Sequence, residues 1–116
     1  MKMENKKNEL IMLGTGNAAV TRCYNTCFAL RTSQGTLLVD AGGGNGILIQ
    51  LEKAGIAISD IHNLFVTHAH TDHILGVIWI IRTIAQHMQQ GKYEGIFRVY
   101  AHDKAIQVID LSLIHI

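Results

Sequence analysis

The chain has 116 residues, 48% of them apolar and 16% charged, with no proline and a formal net charge of +1. That length holds one domain, and the apolar fraction excludes intrinsic disorder, which needs low hydrophobicity and high net charge. Ten Lys and Arg against nine Asp and Glu exclude a general polyanion-binding surface.

A membrane-spanning helix is excluded on the same footing. The longest apolar run, Ile74 to Ile81, stops at Arg82, well short of the ~20 residues of a spanning helix. Lys2, Lys6 and Lys7 are followed by Glu9 and only the short run Leu10–Leu13, so the ~7–15-residue core of a secretory signal is missing. Cys23 and Cys27 lie in a segment that reads as extended, ~13 Å apart and beyond disulfide reach. Two reduced thiols fit a cytoplasmic protein.

In chain order, Met1 to Asn8 is a polar lead-in, and Glu9 to Leu13 is a strand that ends in the turn Gly14-Thr15-Gly16-Asn17. Tyr24 to Arg31 and Thr36 to Asp40 form a strand pair joined by Thr32-Ser33-Gln34-Gly35. After the glycine-rich segment Ala41 to Gly46, the spacing of Ile47, Leu48, Leu51 and Ala54 predicts a helix closed by Gly55. Asn63 to Thr67 reads as a buried strand. From His73 to about Gln90 a long helix carries the apolar stripe Ile74, Val77, Ile78, Ile81, Ile84, Ala85 and Met88, and Gly91 ends it. The stripe, with Trp79, is assigned to the core. Phe97 to Ala101 is another strand, and Asp103 is placed to cap a helix over Lys104–Ile109. Strands and helices alternate, so residues 1–110 form one α/β unit. The last six residues, Leu111 to Ile116, match what one frame of a transposase adapter used in DNA library preparation encodes, and read as a non-native tail.

The informative stretch is Thr67-His68-Ala69-His70-Thr71-Asp72-His73, directly after a buried-type strand. Zinc prefers imidazole nitrogen and carboxylate oxygen. His68 and His70 are two apart, so in extended chain both rings project to one side and share an ion. Asp72 and His73 follow where the backbone turns into the helix and face a second position beside the first. Two ions ~3.5–4 Å apart form a known clamp for ester and amide hydrolysis.

The chain resembles the metallo-β-lactamase-fold hydrolases, and within them the ribonuclease Z branch and its bacterial relatives. The resemblance rests on Leu13-Gly14-Thr15-Gly16, Asn25-Thr26, Leu38-Val39-Asp40-Ala41-Gly42 and the histidine cluster with Leu75-Gly76 behind it. It implies an αββα sandwich, a mixed sheet with flanking helices, of which this chain is a truncated N-terminal half. It also implies that His68 and His70 ligate one Zn2+ and Asp72 and His73 the other, with Mn2+ or Fe2+ as substitutes. Asp72 is similar to the family residue that positions the attacking hydroxide. Asp40 matches an aspartate that supports the ligands from behind; the competing reading is a helix N-cap ahead of the glycine-rich turn. A further His, a bridging Asp and a last His come in complete members from a second half beyond this chain. His87 reads as solvated, His102 falls where the family shows no ligand, and His115 lies in the tail.

The reaction so implied is water attack on a phosphodiester, above all RNA 3′-end processing as in ribonuclease Z, by a parent that forms a homodimer. A small-molecule phosphodiesterase, thioesterase or lactonase uses the same chemistry. A reading of another class is an inert fragment lacking the remaining ligands. Gly14-Thr15-Gly16 is a tight turn, since Ala19 stands where a dinucleotide fingerprint needs glycine. Gly42-Gly43-Gly44 either holds a phosphate by its N–H groups or lets the backbone pass close beneath the metal loop. Lys92 and Arg98 are too scattered to form a tRNA-binding surface, and no inserted tRNA-gripping arm is recognisable.

Overall fold

Short apolar runs punctuated by turn residues produce strands, and the two longest gaps between strands each hold a helix. The structure, a computed structural model, describes residues 8–16, 24–67 and 71–112, with backbone alone at residues 71–73 and 112. Five strands form one sheet in chain order: β1 (Glu9–Gly14), β2 (Cys27–Thr32), β3 (Gly35–Val39), β4 (Ile61–Val66) and β5 (Arg98–Ala101). β1–β2 and β2–β3 pair antiparallel, whereas β3–β4 and β4–β5 pair parallel. The reason is connection length. The two residues between β2 and β3 allow only a reversal, while the parallel pairs are bridged by α1 (Gly46–Lys53) and α2 (Thr71–Gln89). A 3₁₀ turn, Ile58–Asp60, leads into β4, and α3 (Asp103–Ser112) follows β5.

The core lies between one face of the sheet and the helices. Ala29, Leu38, Leu64 and Val66 from the strands meet Ile47 and Leu51 of α1, Ile74, Val77, Ile80 and Ile84 of α2, and Ala105 and Ile109 of α3. Each large aliphatic side chain buried there stabilises the fold by about 1.5–3 kcal/mol. α2 packs between α1 and α3, and this changes its buried arc from the predicted stripe. Ile80, outside that stripe, is fully buried, while Met88 is exposed. Trp79 is also a correction: the residue is 38% exposed, with the Arg82 guanidinium 5.7 Å from its ring centroid, rather than in the core.

A second correction concerns α3. Asp103 is already helical, and the capping acceptor is His102, whose Nδ1 takes the Lys104 N–H at 3.3 Å while its carbonyl takes the Ile106 N–H at 3.0 Å. α1 and α2 stop where expected. Bonds from Ile56 N–H to Leu51 O and from Lys92 N–H to His87 O close the chain around Gly55 and Gly91.

The opposite face of the sheet has no helix against it among the described residues. Met12, Phe28, Val39, Phe65 and Tyr100 run across it in register, with Met12, Phe65 and Tyr100 about half exposed. No helix among the described residues is long and apolar enough to cross a membrane.

Candidate metal centre

The parallel strands β3, β4 and β5 run their C-terminal ends to the same end of the sheet, and the histidine cluster falls in the sequence that links β4 to α2. β4 ends at Val66 and α2 begins at Thr71, so the helix starts two residues before the predicted His73. His68 and His70 lie outside the described residues, as do Cys23 and His115; Asp72 and His73 stand in the first turn of α2, where the backbone alone is described. Among the described residues, no three His, Cys, Asp or Glu side chains gather at one ion position. His87 is some 14 residues along α2 from His73, roughly 20 Å at 1.5 Å per residue, too far to share an ion with it.

The residue that meets this link is Asp40. Its N–H extends the parallel ladder to Phe65 O at 2.8 Å, and its backbone then turns into the left-handed region with φ 56°. Aspartate tolerates that conformation better than most residues. The turn delivers a side chain that is 4% exposed to Thr67, the residue before His68. Oδ1 accepts the Thr67 N–H at 2.8 Å, and Oδ2 accepts the Thr67 hydroxyl at 2.6 Å. Asp40 is therefore not the cap of α1; that position belongs to Asn45.

The glycine-rich segment behind Asp40 is a close-packed seam. The Tyr24 hydroxyl donates to Ala41 O at 2.6 Å and reaches Gly44 O at 3.0 Å. Its ring lies flush on Gly42, where φ is +75° and a Cβ would stand 2.3 Å from the ring. From the other side α2 presses in. Gly76 N–H donates to Gly42 O at 2.8 Å, and a Cβ at Gly76 would stand 1.8 Å from Ala41 O. Gly43 N–H is bonded to Asn25 Oδ1 at 3.1 Å, so the close-approach reading accounts for the glycines and the phosphate cradle lacks that donor. Tyr24 was not legible as part of this seam, because its partners lie in a distant loop; only the neighbouring Asn25-Thr26 marked the region.

The Tyr24 hydroxyl and the Cys27 thiol keep their hydrogens at neutral pH. Burial pushes the Cys27 thiol up to about 12, with the Asp40 charge adding to the shift. Burial likewise raises the Tyr24 hydroxyl to about 12, helped by Cys27. Neither supplies a nucleophile; a reactive thiol needs the opposite shift. Beside Thr67, a cavity of about 530 Å³ is lined by Phe65, Val66, Val99, Tyr100, His102 and other residues at the ends of β4 and β5.

A family model described as Anti-Pycsar protein Apyc1 matches residues 8–110. Ribonuclease Z of Pyrococcus abyssi is 33% identical over 102 residues, covering 87% of this chain. The chain spans 31% of that relative's length. Among solved structures, a diphosphatase of the PhnP family superposes with a TM-score of 0.73 at 20% identity, over 95% of this chain and 47% of its own. The metallo-β-lactamase fold protein YhfI of Bacillus subtilis superposes with a TM-score of 0.69 at 21% identity, over 85% of this chain and 39% of its own. These neighbours agree with the mixed sheet and its flanking helices in giving the metallo-β-lactamase fold, of which the chain covers a part.

Proposed function

The chain belongs to the Anti-Pycsar protein Apyc1 family, and from that premise we propose that its parent is a metal-dependent hydrolase of phosphodiesters, processing RNA 3′ ends as a ribonuclease Z does. The observation that carries this reading is the hold of Asp40 on Thr67. A buried carboxylate committed to the residue before His68 supports a rigid start for the donor segment, and α2 supports its end.

The chemistry of the donors fits zinc. Three imidazoles and one carboxylate within six positions match the nitrogen and oxygen ligands that zinc takes, and Mn2+ or Fe2+ accept the same set. His68 with His70 hold one ion and Asp72 with His73 the other. When bound, such ions polarise the phosphodiester and make water acidic enough to ionise near pH 7. Asp72 orients the attacking water. Asp40 keeps the His68 end of the segment in place, the service that carboxylates behind metal ligands perform.

A small phosphodiester is the second substrate reading. It draws support from the balanced charge of the chain, since RNA-binding surfaces are usually basic. The inert-fragment reading draws support from the open apolar sheet face and from the 31% share of the relative's length. Zinc content after dialysis, with hydrolysis of bis-(p-nitrophenyl) phosphate and of a precursor tRNA, tests all three when measured on both the full-length protein and the 116-residue chain. Two equivalents of zinc with turnover by the short chain itself would exclude the inert fragment. Two equivalents of zinc and cleavage of both substrates by the full-length protein, abolished in His68→Ala, is the expected result. Cleavage of the small ester alone selects the second reading. Full activity in His68→Ala would falsify the ligand assignment.

A further inference from the structure

We propose that His102 anchors the substrate: its Nε2–H donates a hydrogen bond to a non-bridging oxygen of the phosphodiester bound beside the His68–His73 segment. The proposal rests on the hydrolase reading above and adds to it a residue outside the donor set.

The placement follows from the sheet. Val66 and Ala101 are the last register pair of β4 and β5, so Thr67 and His102 leave the two parallel strands side by side. Both line the 530 Å³ cavity, and Thr67 is bonded to Asp40 on its other side. Because His68 follows Thr67 in the chain, the cavity adjoins the segment that carries the metal donors.

The protonation of the ring follows from its cap. Nδ1 accepts the Lys104 N–H, so a neutral imidazole carries its hydrogen on Nε2. That nitrogen then offers a donor rather than a lone pair. A donor suits an anionic oxygen, whereas a metal needs the lone pair, so His102 is set for the substrate and not for the ion. Phe65, Tyr100 and Ile106 give the cavity apolar walls against which the organic part of a diester packs.

Two substitutions separate the two nitrogens. His102→Asn keeps an acceptor at the Nδ1 position, where asparagine is a favoured cap, and loses the outer donor. His102→Gln places an amide N–H near the Nε2 position. The experiment is a dimethyl phosphate titration of the zinc-loaded full-length protein, followed by ¹⁵N spectra of the histidines, with metal content and melting temperature measured for each variant. His102 is expected to show a protonated Nε2 whose resonance moves with dimethyl phosphate. The Kd is expected to rise about tenfold or more in His102→Asn, as for a lost bond to an anion, and to stay near the wild-type value in His102→Gln. Zinc content holds in both; melting temperature holds in His102→Asn and falls by a few degrees in His102→Gln, which gives up the Nδ1 cap. An unprotonated Nε2, or an unchanged Kd in His102→Asn with zinc retained, overturns the proposal and leaves the hydrolase reading intact. Failure of the wild-type protein to retain Zn2+, Mn2+ or Fe2+ after loading overturns both.

Discussion

The carboxylate of Asp40 takes both polar hydrogens of Thr67, the N–H at 2.8 Å and the hydroxyl at 2.6 Å, across a sequence separation of 27. Asp40→Asn tolerates the same left-handed backbone but offers one acceptor in place of two, so one hydrogen of Thr67 is stranded. The expected result is a 10–100-fold loss of zinc affinity, read by competition with a chromophoric chelator, and a loss of stability of about 1–3 kcal/mol. Thr67→Val, which removes the hydroxyl alone, gives a smaller change in the same direction. Unaltered zinc affinity in Asp40→Asn removes Asp40 from the site.

Gly76 is the point at which α2 touches the Ala41–Gly42 backbone. In Gly76→Ala the new methyl meets Ala41 O at 1.8 Å, and the obstacle is main chain held by Tyr24 and Gly76 itself. Helix propensity favours alanine by about 1 kcal/mol, yet overpacking costs about 1–3 kcal/mol and often more against backbone. Net destabilisation is expected in urea unfolding. A gain in stability would show that α2 is free to move away.

Alkaline pH weakens the fold through Cys27. Its folded pKa, about 12, lies above the ordinary 9.0, so the folded state holds this proton more tightly than the unfolded chain does. The stability associated with the neutral thiol is complete below pH 9 and is lost as pH rises towards 12. The slope is about 1.4 kcal/mol per pH unit for one such group. Tyr24 adds to the loss at the upper end of the window. Cys27→Ala flattens the profile between pH 9 and 10.5, where urea midpoints provide the check (~1 kcal/mol or more of difference). Identical profiles for the two proteins exclude the buried thiol as the cause.

The open sheet face gives the inert-fragment reading its own test. Met12, Phe65 and Tyr100 expose apolar surface on a strand array that leaves β1 and β5 as edges. The 116-residue chain alone is expected to self-associate with rising concentration, as seen by light scattering, because such faces and edges pair with other chains. Met12→Glu, on the edge strand β1, lowers that association without touching the helical side. A monomer at all concentrations argues that the face needs no cover.

The order of elements was legible in the sequence, because it depends on interactions over a few residues. Gly55 and Gly91 marked the ends of α1 and α2, and the turn residues Thr32 to Gly35 marked the joint between two paired strands. The same local logic failed at Asp103. Its neighbour His102 caps α3, since an imidazole Nδ1 serves as the acceptor that a carboxylate was expected to provide. It failed again along α2, where Trp79 faces water and Ile80 the core, because a helix packed between two others buries whichever arc they cover.

The histidine-rich run from His68 to His73, proposed here as the metal donors, and its position between a strand and a helix were legible in the sequence, since residue type and spacing are read there directly. Other facts came only with the tertiary structure: that Asp40 grips Thr67, that Tyr24 and Gly76 close on the Ala41–Gly42 backbone, and that His102 stands beside Thr67. Each joins segments far apart in the chain, and such contacts are decided by strand register and helix packing, which no local pattern encodes.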